Sequence, residues 1–320
     1  MNPPETAEQP VIVVAGPTAS GKSSLAADIA EKFNGAVVNA DSMQVYRGLE
    51  VLSAAPDAAM QERAPHRLYS CLDPAVACSA GAWCDRAVAE IRRLHADGKL
   101  PVVTGGTGLY LRALMTGLAR MPSIPGAVRD AIRGRMKSEG SDPLYDELAS
   151  RDPDSAAMLA RGDSQRICRA LELLEATGRG LHAWQSGSDP AANNGFRFLR
   201  ILLLPPREEL YRAVEARFET MMETGAIPEV AALADRGLDP ALPAMKALGV
   251  PDLIRFVRGE IDRDEATRSA SQATRRYVKR QCTWFRHQFV SDILLEEQYL
   301  EKNDGIIFPK ISEFVLTPRV

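Results

Sequence analysis

The sequence predicts an α/β fold: a P-loop-containing parallel sheet flanked by helices, with a mainly helical insertion domain. Three observations predict it. Short β-branched runs alternate with helix-length segments, and one run leads directly into Gly16-Pro17-Thr18-Ala19-Ser20-Gly21-Lys22-Ser23. The strand pattern then stops between Met121 and Asn194. Alternating strands and helices imply a parallel sheet covered on both faces. Such sheets gather their chemistry at the carboxyl ends of the strands.

Taken in order, residues 11–15 read as the first buried strand and 23–33 as the helix behind it. Residues 36–40 give a second strand. A helix over 82–97 leads into the strand at 101–104, and the strand at 198–204 precedes a helix over 208–223. Within the insertion, Ile167, Leu171 and Leu174 recur at i, i+4 and i+7, the spacing of an apolar helix face. Residues 187–190 (Gly-Ser-Asp-Pro) and Asn193-Asn194-Gly195 punctuate the return to the sheet. The expected organisation is a core domain of residues 1–120 and 196–320 with an insertion at 121–195. Beyond Ser291 the pattern weakens.

A chain of 320 residues with 45% hydrophobic and 25% charged residues can fill a large core. With 39 Lys+Arg against 42 Asp+Glu, global charge does not point to nucleic acid, so any such surface must be a local patch. The five cysteines form no Cys-x-x-Cys pair, which argues against a zinc site or a disulfide framework. The N-terminus carries acids and prolines instead of a basic and then apolar signal, and no apolar run approaches the roughly 18 residues of a membrane span. A cytoplasmic enzyme with no membrane partner is expected.

Residues 16–23 match G-x-x-x-x-G-K-[ST] between a strand and a helix, the context that gives the motif its meaning. Glycines let several backbone N–H groups converge on one anion, and the helix N-terminus adds positive potential. Lys22 brings a full charge to the outer phosphate, and the Ser23 hydroxyl can ligate Mg²⁺. A nucleotide kinase, an NTPase and a diphosphate-releasing transferase all need such a loop. Asp41 follows the second strand and points towards it, as an aid to Mg²⁺ or as a proton acceptor for a nucleophile. Gln44, Tyr46 and Arg47 come next, polar groups suited to a base edge. The cluster Thr104-Gly105-Gly106-Thr107-Gly108 permits either close approach of a ligand or a tight turn.

Between Arg268 and Arg286 the chain carries Arg268, Arg275, Arg276, Lys279, Arg280 and Arg286 and no acid. On a helix, Arg268, Arg275, Lys279 and Arg286 align in one stripe, with Tyr277 and Trp284 on the opposite side to pack on the core. Solvated helices usually mix signs, so the stripe suggests a polyanion partner. Arg166 and Arg169, beside Gln165, offer a second, smaller cluster in the insertion.

Several ordered blocks resemble the tRNA dimethylallyltransferases, and the likeness covers most of the chain. They are residues 16–23, Asp41-Ser-Met-Gln-Val-Tyr-Arg-Gly48, Pro65-His-Arg-Leu68, Gly105-Gly-Thr-Gly-Leu-Tyr110, Asp163-Ser-Gln-Arg-Ile-Cys-Arg-Ala-Leu-Glu172, Met245-Lys-Ala-Leu-Gly249 and Lys279-Arg-Gln-Cys-Thr-Trp284. The resemblance implies transfer of a dimethylallyl group from dimethylallyl diphosphate to N6 of the adenosine just 3′ of a tRNA anticodon. It implies that residues 16–23 and Arg217 hold the diphosphate, with Ser23 assisting Mg²⁺. Asp41, Lys22 and Thr107 would be catalytic, with Asp41 the base on the amine. The anticodon stem-loop would meet Asp41, Ser42, Met43, Gln44, Thr107, Arg129, Gln165, Arg166, Ile167, Cys168, Arg169, Lys246, Arg275, Lys279, Arg280 and Gln281. A bacterial-type enzyme acting as a monomer is expected. Family members commonly have glycine, lysine and arginine where this chain has Leu52, Ala55 and Ala213.

Overall fold

The computed structural model describes residues 8–119, 121–186 and 195–317. The predicted punctuation at 187–190 and 193–194 and the N-terminal segment 1–7 lie outside them. The chain forms two compact units, Met1–Met115 with Asn194–Val320, and Thr116–Asn193.

The first unit is built on six strands: β1 (Gln9–Ala15), β2 (Gly35–Asn39), β3 (His66–Arg67), β4 (Leu100–Gly105), β5 (Phe196–Leu203) and β6 (Ile293–Leu295). They lie in the order β3-β2-β4-β1-β5-β6, and every pairing is parallel. β1 sits inside the sheet with Ala15 level with Gly105 on one side and Leu202 on the other. Chain order reverses around this strand, so the loop after β1 opens into the crevice where α/β sheets bind ligands.

Burial explains the strands. Along β1, Val11, Val13 and Ala15 enter the core on one face, while Ile12 and Val14 enter the core on the other. A strand buried on both faces reads as a continuous apolar run, which made β1, β2, β4 and β5 visible in sequence. β3 is two half-buried polar residues at the sheet's edge and β6 is three residues long, so neither offered a periodic signal.

The helices of this unit are α1 (Lys22–Lys32), α2 (Ala58–Arg63), α3 (Ala80–Ala96) and α4 (Gly108–Thr116). The second unit holds α5 (Gly126–Glu139), α6 (Ser141–Arg151), α7 (Pro153–Ala157), α8 (Ser164–Thr177) and α9 (Leu181–Ser186). The chain then returns to the first unit with α10 (Arg207–Thr224), α11 (Ala226–Asp235), α12 (Val250–Val257), α13 (Arg263–Gln288) and α14 (Asp304–Leu316). The weakly patterned tail after Ser291 is thus β6 and α14, which buries Ile307, Phe308 and Ile311 against Leu25 and Ile29 of α1.

The second unit has its own core of Leu144, Leu148, Ile167, Leu171 and Leu173, and among its described residues it contains no strand. Asp163 caps α8 by accepting the Arg166 amide, and Gly178, at φ 67°, ends it. Ile167 is fully buried and Cys168 nearly so. Their side chains pack in this core, whereas Gln165 and Arg166 beside them are exposed. Periodicity had already put Ile167 on the apolar face.

Glycines 105, 106 and 108 meet protein, not a ligand. A Cβ on Gly105 would strike the backbone of Ala40, one on Gly106 the Gln281 amide, and one on Gly108 the Trp284 indole. Gly105→Ala should therefore lower the melting temperature, with a cost of about 1–3 kcal/mol from overpacking against backbone. Gly81→Ala, whose nearest neighbour would be Ser79 Oγ at 3.9 Å, should stabilise by up to ~1 kcal/mol because a helical glycine is entropically costly. Thermal unfolding monitored by circular dichroism distinguishes the two; equal effects would refute the close packing at Gly105.

Candidate active site

The loop from Gly16 to Ser23 leaves the carboxyl end of β1 and enters α1 through Gly21, which has φ +87°. Ala19 is also left-handed, at φ 63°. These two positions turn the loop back on itself, the conformation that aims backbone N–H groups at one point. Gly16 has no room for a side chain, since a Cβ would meet the Leu203 carbonyl and Ser20 Oγ. Ser20 Oγ is buried and has no hydrogen-bond partner among the described residues.

Two cations converge on the loop. Lys22 Nζ donates to the Pro17 carbonyl at 3.3 Å, and Arg217 of α10 donates from Nη2 to Thr18 Oγ1 at 2.5 Å. Burial pushes the Lys22 ammonium down to about 8, against an upward pull from Asp41 and a further push down from Arg217. Burial also lowers Arg217, again opposed by Asp41. Two positive charges removed from water beside a single carboxylate make a site that favours an incoming anion.

Asp41 stands just past the end of β2. Asn39, fully buried, shapes the turn: its Oδ1 accepts the Asp41 amide at 2.7 Å, and its Nδ2 donates to the Asp41 and Leu68 carbonyls. The Trp83 indole donates to the Asn39 carbonyl at 2.9 Å. Asp41 Oδ1 accepts the Met43 amide at 2.9 Å, which fixes the carboxylate and leaves its second oxygen for the cavity. Thr107 Oγ1 accepts the Ser42 amide at 2.9 Å and donates to Ser42 Oγ at 3.2 Å. The loop after β4 thereby braces the loop after β2.

One cavity joins these groups. Its volume is about 250 Å³, and its lining includes Thr18, Asp41, Ser42, Met43 and Arg217 at one side. Leu52, Val214, Phe218, Met221 and Leu248 supply an apolar side, and Lys246, Tyr277 and Arg280 also reach it. Tyr277 lines this cavity, which borders the core side of α13 at that level. Its hydroxyl is within hydrogen-bonding reach of Thr107 and Gln281, and burial raises it well above the usual phenol range.

Gln281 also lies on α13. Its side chain is buried: Oε1 accepts the Thr18 amide at 2.9 Å and Nε2 donates to the Gly106 carbonyl at 2.9 Å. Both ends are engaged by protein, so it holds the phosphate loop. Gln44 is likewise engaged, donating from Nε2 to the Ser53 and Ala54 carbonyls at 2.9 Å each. Tyr46 is buried, with its hydroxyl accepting the Cys78 amide at 3.2 Å. Through these bonds both side chains help to build the loop that walls the cavity.

α13 spans 26 residues, about 39 Å at 1.5 Å each. Arg268, Arg275, Arg276, Lys279, Arg280 and Arg286 are all exposed along it. Arg275 is ion-paired with Glu215 of α10, so its charge is offset within the protein. Arg280 lies over the Tyr277 ring at 5.7 Å. In the second unit, Gln165 and Arg166 are exposed, while Arg169 lies 3.7 Å from the buried Glu172, which also takes Arg133 at 3.3 Å. Arg129 donates to the Ile124 carbonyl at 3.3 Å.

Comparison with known proteins gives this arrangement its relatives. The model of the IPP transferase family matches residues 44–288. A tRNA dimethylallyltransferase of Rhodospirillum centenum is 52% identical over 285 residues, covering 89% of this chain and 91% of that protein. One from Bradyrhizobium sp. is 50% identical over 288 residues, covering 90% and 94%. Among solved structures, the tRNA isopentenylpyrophosphate transferase of Bacillus halodurans superposes with a TM-score of 0.69 at 30% identity, covering 96% of this chain and 97% of that one. A eukaryotic dimethylallyltransferase described as acting on tRNA gives a TM-score of 0.79 at 26% identity over 95% of this chain and 77% of its own. With the family model spanning most of its length and relatives this similar, the chain belongs to the IPP transferase family.

Proposed function

We infer that this chain is a tRNA dimethylallyltransferase: it moves the dimethylallyl group of dimethylallyl diphosphate to N6 of the adenosine just 3′ of a tRNA anticodon and releases diphosphate. The observation that carries the reading is the cavity's mixed chemistry. Arg217, Thr18 and Asp41 line it together with Leu52, Phe218 and Met221. A donor with an anionic head and a hydrocarbon tail matches both kinds of lining, whereas a nucleoside triphosphate would place ribose and base against hydrocarbon.

The step balances simply. The N6 lone pair attacks C1 of the donor, the C1–O bond breaks, and its electrons leave with the diphosphate. The N6 proton goes to the second oxygen of Asp41, whose first oxygen is held by the Met43 amide. Lys22, Arg217 and the loop amides meet the charge that develops on the leaving group. Thr107 and Ser42 keep the Asp41 loop in register with the loop after β4. The adenine must leave the anticodon stack to reach this point, the usual route for chemistry on a base.

Ser23, in the first turn of α1, and Asp41 offer hard oxygen donors of the kind Mg²⁺ accepts. These residues fit a diphosphate-bound ion, with Ser23 the residue to hold it. When bound, such an ion would add neutralisation of the departing phosphate charge. Exposed Arg276, Lys279, Arg280 and Lys246 supply RNA-facing charge in the first unit, and Arg166, beside the polar Gln165, supplies it in the second.

Asp41→Asn should retain tRNA binding and lose transfer by about 10²-fold or more, measured with labelled donor and unmodified tRNA; near-normal transfer would remove Asp41 from the base role. Because Lys22 lies at about 8 before an anion arrives, diphosphate should raise its pKa and take up protons. The uptake should be greatest between pH 8 and 9 by the ~1-unit logic of a single titrating site. Calorimetry in buffers of different ionisation heat measures it, and a Lys22→Met control should lose the uptake. Affinity should fall as pH rises through that window, when the free ammonium loses its charge. Replacing Arg276 and Lys279 by Gln should weaken tRNA binding and flatten the slope of log affinity against log salt by about 2. Arg275→Gln should change it less, since Glu215 already offsets that charge; an equal loss would contradict the pairing.

A further inference from the structure

The apolar side of the cavity ends in a wall made from three separate segments. On α10, Val214, Arg217, Phe218 and Met221 share the face that lines the cavity. Arg217 engages the phosphate loop at Thr18, and Phe218 and Met221 follow it on the same face towards the carboxyl end of the helix. Met221 stands about 6 Å beyond Arg217 along the axis, at 1.5 Å per residue. The second segment is Gly249, the residue before α12, at φ +85°. A Cβ there would lie 3.2 Å from Phe218 Cε2 and 3.4 Å from Leu52 Cδ2. The missing side chain thus lets the Phe218 ring and the Leu52 methyl close against the same backbone.

Leu52 is the third segment, and its position is enforced. The Glu229 carboxylate of α11 accepts the Val51 amide at 2.8 Å and the Leu52 amide at 2.9 Å. From the other side, Gln44 holds the Ser53 and Ala54 carbonyls. These four hydrogen bonds involving two side chains add to the loop's own backbone bonds, Ser53 to Leu49, Ala54 to Val51 and Ala55 to Glu50. Leu52 is also only partly buried, unlike Phe218, so its side chain can be shortened with little loss of core.

We propose that Leu52, backed by Phe218 and Gly249, sets the length of hydrocarbon that the donor can carry, admitting one isoprene unit and excluding two. The inference rests on the prenyl-diphosphate reading above. The cavity's volume of about 250 Å³ serves polar and apolar sides together, and a dry pocket of ~150 Å³ is filled by a six-carbon ring. One five-carbon chain therefore fits beside the polar groups. A ten-carbon chain meets the wall, and Leu52, partly buried on a loop, is a part of it whose side chain can be shortened with little loss of core.

The test is a competition between dimethylallyl and geranyl diphosphate for unmodified tRNA, with products separated by mass. Leu52→Ala should raise the geranyl to dimethylallyl ratio of kcat/KM by about tenfold or more, the scale on which an apolar pocket discriminates carbon atoms. Leu52→Phe should act oppositely, raising the KM for dimethylallyl diphosphate several-fold while the KM for tRNA stays unchanged. Active variants that both keep the wild-type donor ratio and donor KM would overturn the assignment. A change confined to the KM for tRNA would overturn it too, since Leu52 would then face the nucleotide. Wild-type protein that transfers neither chain to RNA would instead overturn the functional reading beneath it.

Discussion

A single buried amide joins the two halves of the chemistry. Gln281 belongs to α13, the helix with the exposed basic stripe, yet its side chain ends between the phosphate loop and the turn after β4. Through it the loop that grips the leaving group is positioned by the element proposed to meet RNA. Trp284, one turn further along the same helix, lies flat on Gly108 at the start of α4. The carboxyl ends of β1 and β4 are therefore fixed from outside the sheet. Arg217 at Thr18 and Gln298 at Ala19 add two further holds on the same loop.

Electrostatics then sets the direction of the site. Lys22 and Arg217 are both destabilised as charged groups by burial, and Asp41 alone supports them. An anion relieves that cost, which is how a loop with few side chains can select a phosphate. The same arrangement keeps the carboxylate beside two cations, so the group proposed to take the proton and the groups proposed to hold the diphosphate share one field.

The sheet's interior and the phosphate loop were legible because they rest on local pattern: continuous apolar strands, glycines at fixed spacing, and a helix behind them. The insertion was legible for the same reason, through the spacing of Ile167, Leu171 and Leu174. What stayed hidden depends on distant partners. Nothing near Gln281 in the sequence announces a partner 263 residues away at Thr18. Gln44 and Tyr46 read as free polar groups because the carbonyls and amide that engage them sit on later loops. Tyr277 was assigned to the core by an ideal helical wheel, but the core side of α13 borders a cavity at that level. Arg275 looked like one more RNA-facing charge until Glu215 of α10 was seen beside it. In each case the residue type was informative and its neighbour was not.

The amide at position 281 also narrows what evolution can place there. One end must accept a hydrogen from Thr18 and the other must give one to Gly106, so a carboxylate fails at the second and would set a negative charge against the phosphates. Asparagine carries the right groups on a stem one methylene shorter and cannot span the same gap. A side chain that would pass unnoticed on most helices is here used for the acceptor and the donor it carries on one planar group.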